Sequence, residues 1–137
     1  MDRPIGFWLK HLDGLIERIF DQVLGRRGLQ RRHWQVLNIV HGGGAERAAV
    51  AEGLRPFWAD GALSQREVVD GLAGRGWLRV DGEGYELTDT GRLAHADVLR
   101  EVAEIRRRSL DGLTGEEYRA VLGTLERMSA NLERAMA

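Results

Sequence analysis

The stretch Ser64–Arg92 predicts a helix, a hairpin of two short strands and the start of another helix. Ser64 and Glu67 have the spacing of a capping box, in which each side chain accepts a hydrogen bond from the other residue's backbone N–H. Gly74 and Gly76 end this helix. "WLRV" and "YELT" read as strands, and the glycine-rich "DGEG" between them reads as a tight turn. A fold with this centre packs a small antiparallel hairpin beside helices.

Helical spacing of apolar residues predicts further helices on both sides of this stretch. They are expected at Ile5–Leu24, near Arg31–Val40, at Ala45–Leu54, at Asp89–Arg108 and from Thr114 onward. Pro56 disfavours helix at Arg55 and is expected to end the third of them. The last helix begins with a second capping box, Thr114-x-x-Glu117, and has apolar residues at alternating spacings of three and four.

Three helices, a hairpin and long flanking helices make a winged helix-turn-helix, in a mainly α fold of the α+β class. A terminal helix with a sustained apolar row must be buried against something. A homodimer is one solution, and it is common among operator-binding proteins. An intramolecular helical bundle is the alternative.

Composition excludes several classes of protein. The 137 residues are 43% hydrophobic and 30% charged, which is typical of a globular domain. No apolar run reaches the ~20 residues of a membrane span, and the charged N-terminus is not a signal peptide, so we expect a cytoplasmic protein. There is no cysteine, which excludes disulfides and thiolate chemistry. Lys10 is the only lysine, and such arginine usage suggests a GC-rich bacterial genome.

The chain resembles the MarR family of bacterial transcription regulators over nearly its full length. The stretches that carry the resemblance are "IGFWLKHLDGLIERIFDQVL", "GLQRRHWQVLNIV", "VVDGLAGRGWLRV" and "LTDTGR". The resemblance implies one domain, residues 1–137, that binds a pseudo-palindromic operator as a homodimer. Its parts would be dimerisation helices at 1–25 and 109–137, a winged helix-turn-helix at 30–92 and a connecting helix at 89–108.

The sequence departs from the family pattern at three positions. Glu67 stands about where the family's recognition helix often has a basic residue, and Val80 stands where an arginine commonly ends the first strand of the wing. The turn "DGEG" is short and acidic, whereas the family's wing is usually longer and has an arginine that enters the minor groove. Phosphates repel Asp81, Glu83 and Glu86, so we expect no wing insertion here.

The residues expected to bind DNA are all polar or basic. At the start of the central helix, Arg66 has the donors to pair with guanine and Gln65 those to pair with adenine, although a capped surface helix without a reading role is the alternative. The cluster Arg26, Arg27, Arg31 and Arg32 is either a set of phosphate contacts or a solvated loop. The complete set is Ser64, Gln65, Arg66, Arg31, Arg32, Arg75 and Arg79.

Five residues form a candidate crevice for a small aromatic effector, which the family resemblance also suggests. Such pockets are mostly aromatic with a few polar groups. The residues are Trp8, His11, Trp34, Phe57 and Trp58. Large aromatic residues at helical spacing are also ordinary core residues, and this alternative stays open.

Catalytic and metal-binding motifs are missing from the sequence. The four histidines have no H-x-x-H or H-E-x-x-H spacing, so neither a metal site nor a cofactor is expected. "HGGG" at 41–44 occurs in hydrolase oxyanion loops, but no nucleophile motif accompanies it, and we interpret it as a turn. An enzyme is therefore not expected.

Two hypotheses for function remain. In the first, the protein is a dimeric winged-helix repressor that binds double-stranded DNA and is released by a small aromatic effector. In the second, it is a MarR-like dimer that has lost operator binding and acts on a ligand or another protein. The acidic turn and Glu67 favour the second hypothesis.

Overall fold

The computed structural model describes residues 2–59 and 63–137 and divides the chain into two compact units, residues 1–102 and residues 103–137. The helices are α1 (Ile5–Leu24), α2 (Arg31–Val40), α3 (Arg47–Gly53), α4 (Arg55–Trp58), α5 (Gln65–Gly74), α6 (Asp89–Ser109) and α7 (Gly115–Met136). The strands are β1 (Ala45–Glu46), β2 (Leu78–Asp81) and β3 (Gly84–Leu87). The predicted mainly α fold with a winged helix is confirmed.

Both predicted capping boxes are present and fix the starts of two helices. At α5, the Ser64 hydroxyl accepts from the Glu67 backbone N–H at 3.1 Å, and the Glu67 carboxylate accepts from the Ser64 N–H at 3.2 Å. Thr114 and Glu117 make the same pair of hydrogen bonds before α7. Two N–H groups at each helix start are thereby satisfied by side chains of the same segment.

The predicted third helix begins two residues too early, and Arg55, where Pro56 was expected to disfavour helix, is helical. Ala45 and Glu46 are extended and pair antiparallel with Tyr85 and Gly84 of β3, so the sheet has a third strand. The helix begins only at Arg47 and stops at Gly53. A separate short helix, α4, follows, in which Pro56 occupies one of the first two positions. Proline is tolerated there because the N–H that it lacks would have no partner within the helix.

The hairpin of β2 and β3 is in register from Leu78–Leu87 to Asp81–Gly84. Its turn therefore contains only Gly82 and Glu83. Gly82 has φ +59°, the left-handed region, as the first central residue of a two-residue turn of type II′ requires. The strand order is β1-β3-β2, which places β3 at the centre of the sheet.

The hydrophobic core of residues 1–102 brings α2, α3, α5 and the hairpin together. Its fully buried side chains include Val36, Leu37, Val40, Val50, Val68 and Leu72. Leu78 and Leu87 face the same core from the sheet. The buried face of α5 is thus anchored, and its opposite face and its first residues stay exposed.

Candidate nucleic-acid interface

The N-terminal end of α5, residues Ser64, Gln65 and Arg66, which we call the head of α5, presents one strongly exposed cation. The Arg66 side chain is 91% exposed, and its Nε lies 3.8 Å from the carboxylate of Asp70, one helical turn away. An exposed pair at this distance is weak, so the guanidinium remains available to a partner. Glu67 is engaged in the capping box, which accounts for its carboxylate without a role in base recognition.

Gln65 lies beside Arg66 but its amide is already occupied. Its Nε2 donates to the backbone carbonyl of Arg47 at 3.1 Å and to the Tyr85 hydroxyl at 3.3 Å. Pairing with adenine uses both the amide N–H and the amide oxygen, and here the nitrogen is committed to α3 and β3. Gln65 therefore connects three elements of the winged helix.

A cleft of about 680 Å³ lies in front of α5. It is lined by Arg47, Ala51, Gln65, Arg66, Val69, Asp70, Val80 and Tyr85. These residues come from α3, α5 and the hairpin. We call it the α3–α5 groove.

Arg31 and Arg32 are mostly buried and already paired. The Arg31 guanidinium lies 3.0 Å from carboxylate oxygens of both Asp13 and Glu17, and that of Arg32 lies 2.7 Å from Glu17. Their side chains are only 11% and 14% exposed, and both stack over the Phe57 ring. The structure therefore places them in an internal cluster that joins α1, α2 and α4, apart from the exposed cation of α5.

Arg75 and Arg79 do not join Arg66 either. Arg75 caps the opposite end of α5, where it donates to the backbone carbonyls of Arg27 and Gly28 at 2.7 and 3.3 Å. Arg79 faces Glu86 across the hairpin, with 3.5 Å between their charged atoms. The predicted DNA-binding residues thus fall into separate places, with Ser64, Gln65 and Arg66 together at the head of α5.

Arg47 is a functional candidate that the sequence analysis did not single out. It is exposed and lines the α3–α5 groove together with Arg66. The predicted helix at Ala45–Leu54 placed Arg47 in its first turn with no reason to prefer it over other exposed arginines. The pairing of β1 with β3 shows that it stands beside the hairpin, and the hydrogen bond from Gln65 to its carbonyl shows that it also stands beside α5.

The five candidate effector residues lie in three places. Trp8 and His11 belong to an exposed aromatic group on α1, in which both rings contact Phe7. Trp34 is buried and stacks on His95 with 4.9 Å between ring centroids. Phe57 and Trp58 are half-buried on α4. The α3–α5 groove is lined by none of the five.

Within residues 2–59 and 63–137, no three His, Cys, Asp or Glu side chains converge as metal ligands would. None of the described helices is long and apolar enough to cross a membrane.

Known structures similar to this one are transcription regulators. A MarR-family regulator from Rhodococcus sp. RHA1 has 25% sequence identity and a TM-score of 0.71, over 90% of this chain and 92% of that one. CouR from Rhodococcus jostii RHA1, solved with p-coumaroyl-CoA, has 24% identity and a TM-score of 0.73, over 91% of each chain.

A third similar structure is the MarR-family protein Rv2887 of Mycobacterium tuberculosis in complex with DNA. It has 21% identity and a TM-score of 0.67, over 93% of this chain and 98% of that one. No protein-family model and no curated protein sequence matches the chain. The similar structures span nearly the whole chain and are regulators rather than enzymes. The chain therefore has the winged-helix fold of the MarR family of transcription regulators.

Proposed function

We propose that this protein is a transcription repressor that binds a pseudo-palindromic operator as a homodimer. The observation that carries the proposal is the exposed Arg66 guanidinium, held at the head of a capped helix whose other face is buried. A structure of the same fold was solved in complex with DNA. The proposed unit is one domain, residues 1–137, in which residues 30–92 form the winged helix-turn-helix and residues 89–108 form the connecting helix. It would act in the cytoplasm, on chromosomal DNA.

The proposed mechanism uses α5 as the recognition helix. Two copies in a dimer would enter successive major grooves about one helical turn apart. Arg66 would donate two hydrogen bonds to O6 and N7 of a guanine, and the exposed Ser64 at the same helix end would contact a base or a phosphate. Bound over a promoter, such a dimer excludes other proteins from the same DNA.

The homodimer is supported by apolar surface that each unit leaves exposed. On α1, the exposed apolar residues are Ile5, Trp8, Leu9, Leu12, Leu15 and Ile19. On α7 they are Val121, Leu122, Met128, Leu132 and Met136. Rows of this length at helical spacing are rarely left to water, and a second copy would cover them. Residues 1–25 and 109–137 are the proposed dimerisation helices.

A small aromatic effector is proposed to release the repressor from DNA. CouR, which shares the fold, was solved with p-coumaroyl-CoA, a thioester with an aromatic acyl group. The exposed Trp8 and His11 on α1 offer rings that such a group would stack on, whereas Trp34 is already packed against His95. Phe57 and Trp58 are half-buried and lie on the segment that leads to α5.

The alternative function is a dimeric ligand- or protein-binding module without operator binding. The internal pairing of Arg31 and Arg32 favours it, because it removes two cations from the expected DNA surface. The acidic turn of the hairpin has the same effect. The two functions differ in whether any duplex binds, which makes DNA binding the deciding measurement.

The test measures binding of the purified protein to genomic fragments and to a random duplex over a range of salt concentrations. We expect binding at about 50 mM salt and a preferred sequence with inverted half-sites. The variant Arg66→Ala should weaken binding to that sequence by about 1–3 kcal/mol and relax the preference at one base pair of each half-site. Arg55→Ala, which changes an exposed arginine of α4, serves as the control.

Replacement of the hairpin turn by a neutral turn gives a second measurement. We expect equal or higher affinity, because the change removes the repulsion between Asp81, Glu83 and phosphates. A large loss of affinity would show that the turn itself contacts DNA. If no duplex binds at about 50 mM salt, where electrostatic binding is near its strongest, the repressor is excluded in favour of the ligand- or protein-binding module.

A further inference from the structure

Arg47 is held in place on two sides by hydrogen bonds to its backbone. Its carbonyl accepts from Gln65 Nε2 at 3.1 Å, and its N–H donates to the carbonyl of Glu83 at 2.8 Å. Gln65 also donates to the Tyr85 hydroxyl at 3.3 Å. The start of α3 is therefore fixed against both the recognition helix α5 and the hairpin.

The Arg47 side chain is left free by this arrangement. Its guanidinium carbon lies 6.0 Å from the centroid of the Tyr85 ring, and the residue is exposed. Among the parts of the chain that the structure describes, Arg47 takes part in none of the ion pairs, in contrast to Arg31, Arg32 and Arg79. An unpaired guanidinium on a fixed backbone is suited to bind a phosphate oxygen.

The α3–α5 groove has a polar rim above an apolar floor. Arg47 stands on the α3 side and Arg66 on the α5 side, while Ala51, Val69, Val80 and Tyr85 line the space between. Asp70 is the acid of the rim, and it already lies 3.8 Å from Arg66. Because Asp70 offsets the charge of Arg66, the net positive charge among the residues that line the groove comes from Arg47.

We propose that Arg47 binds a phosphate of the DNA strand that flanks α5, and that Gln65 is a positioning residue for Arg47 rather than a reader of bases. This inference rests on the proposed DNA binding. Arg66 then supplies sequence preference and Arg47 supplies affinity without preference, a division expected of base and phosphate contacts. A contact from the start of α3 also compensates for the acidic hairpin.

The experiment compares the full-length wild type with Arg47→Ala and Arg47→Lys on a preferred and a random duplex. Each phosphate contact contributes about −0.9 to the slope of log affinity against log salt, so two copies of Arg47 contribute about −1.8. We expect Arg47→Ala to weaken both duplexes by the same factor. The wild type's advantage should shrink roughly tenfold between about 50 and 200 mM salt. Arg47→Lys keeps the charge and should restore most of the slope.

Two controls separate a phosphate contact from a loss of structure. Arg47→Ala should melt at the wild-type temperature, because the side chain is exposed and its backbone hydrogen bonds remain. Arg55→Ala removes another exposed arginine, one that lies 3.4 Å from Glu52 and does not line the groove, and should leave the slope unchanged.

The positioning role of Gln65 is tested by a double-mutant cycle. Gln65→Ala should weaken both duplexes and reduce the salt slope, and it should add little when Arg47→Ala is already present, because the two residues act through one contact. If Gln65→Ala instead changes the preference at one base pair, Gln65 reads a base and its positioning role is overturned.

The two levels of the proposal fail in different ways. If the wild type binds DNA but Arg47→Ala keeps the wild-type salt slope, the phosphate contact is overturned and the repressor function stands. If the wild type binds no duplex at all, the repressor function fails and the contact fails with it.

Discussion

The glycine of "LTDTGR" lies where a side chain would collide with the backbone. A Cβ on Gly91 would lie 1.9 Å from the carbonyl oxygen of Trp77. The same oxygen accepts from the Thr88 N–H at 3.0 Å, and the Thr88 hydroxyl donates to the carbonyl of Gly76 at 2.5 Å while it accepts from the Gly91 N–H at 3.0 Å. This segment thus links the start of α6 to the start of the hairpin. The contacts account for the presence of Thr88 and Gly91 without a role in DNA binding.

We expect Gly91→Ala to destabilise the fold by about 1–3 kcal/mol or more, since neither backbone has room to move in a packed site. Gly14→Ala is the matched control, because Gly14 is exposed in the middle of α1 and an added Cβ meets nothing within 4 Å. That change should stabilise by up to about 1 kcal/mol through helix propensity. Urea denaturation of both variants measures the difference, and equal stabilities would contradict the close approach.

His95 is a buried imidazole between two other rings. Its ring centroid lies 3.8 Å from that of His41, nearly parallel, and 4.9 Å from that of Trp34, while its Nε2 lies 3.2 Å from the Asn38 side-chain oxygen. The residue is 2% exposed. Burial, and secondly the neighbouring His41, lower the pKa of His95 below 6.5, because both disfavour the charged ring.

Stability should therefore fall as the pH is lowered through about 6.5. Because the pKa of His95 is lowered in the folded state, the unfolded chain binds more protons than the folded chain in this range. The contribution of His95 to the free energy of unfolding is therefore complete above pH 6.5 and is lost as the pH falls below it. His33 acts in the same direction, since burial and then Arg75 lower its pKa. Unfolding free energies between pH 7.5 and 5.5 measure the effect. His95→Phe keeps the stack and should flatten the curve, and an unaltered curve would contradict the argument.

At the scale of elements, three helices meet at the internal cluster of Arg31 and Arg32. The carboxylates come from α1, the guanidiniums from α2 and the Phe57 ring from α4. The cluster holds the proposed dimerisation helix α1 against the helix-turn-helix and against the segment before α5. Its charges are used within the protein.

We expect the double variant Arg31→Ala with Arg32→Ala to lose stability rather than DNA contacts. The change removes two mostly buried side chains that pack on the Phe57 ring, together with their ion pairs to Asp13 and Glu17, at a cost of about 1–3 kcal/mol. Denaturant unfolding should show this loss, while the salt slope of DNA binding stays as in the wild type. The exposed neighbour Arg26→Ala is the control for stability. A shallower slope with unchanged stability would instead identify the two arginines as phosphate contacts.

Local signals in the sequence predicted α1, α2, α5, α6, α7 and the hairpin within a residue or two of their observed ends. Capping residues, glycines and helical spacing are encoded within a few positions. The strand β1 was missed because its two residues are extended only through pairing with Tyr85, forty positions away. The ion pairs of Arg31 were not predicted for the same reason, because its partners Asp13 and Glu17 lie on another helix. The exposed head of α5 was foreseeable, because a cap and its polar neighbours are local.

For the whole molecule, the main prediction is the homodimer. Leu132 is 65% exposed and Leu125 is half-buried on the same row of α7. Leu125→Asp with Leu132→Asp would place two carboxylates per copy in an apolar interface, which costs several kcal/mol. We expect the sedimentation mass to halve. Asn131→Asp adds a carboxylate on another side of α7 and should leave the mass unchanged. A dimer that survives the double change does not use this row.

The two-residue turn at Gly82 and Glu83 also makes the hairpin a convenient place for protein engineering. Leu78 and Leu87 anchor its base in the core, and the register continues unbroken to the tip. Residue pairs added symmetrically to both strands therefore lengthen the hairpin without moving its base, because side chains alternate with a period of two. The hairpin could thus be replaced by a longer one with an arginine in its turn. The natural chain, with its short acidic turn, would then be the reference for a series of hairpins of increasing length.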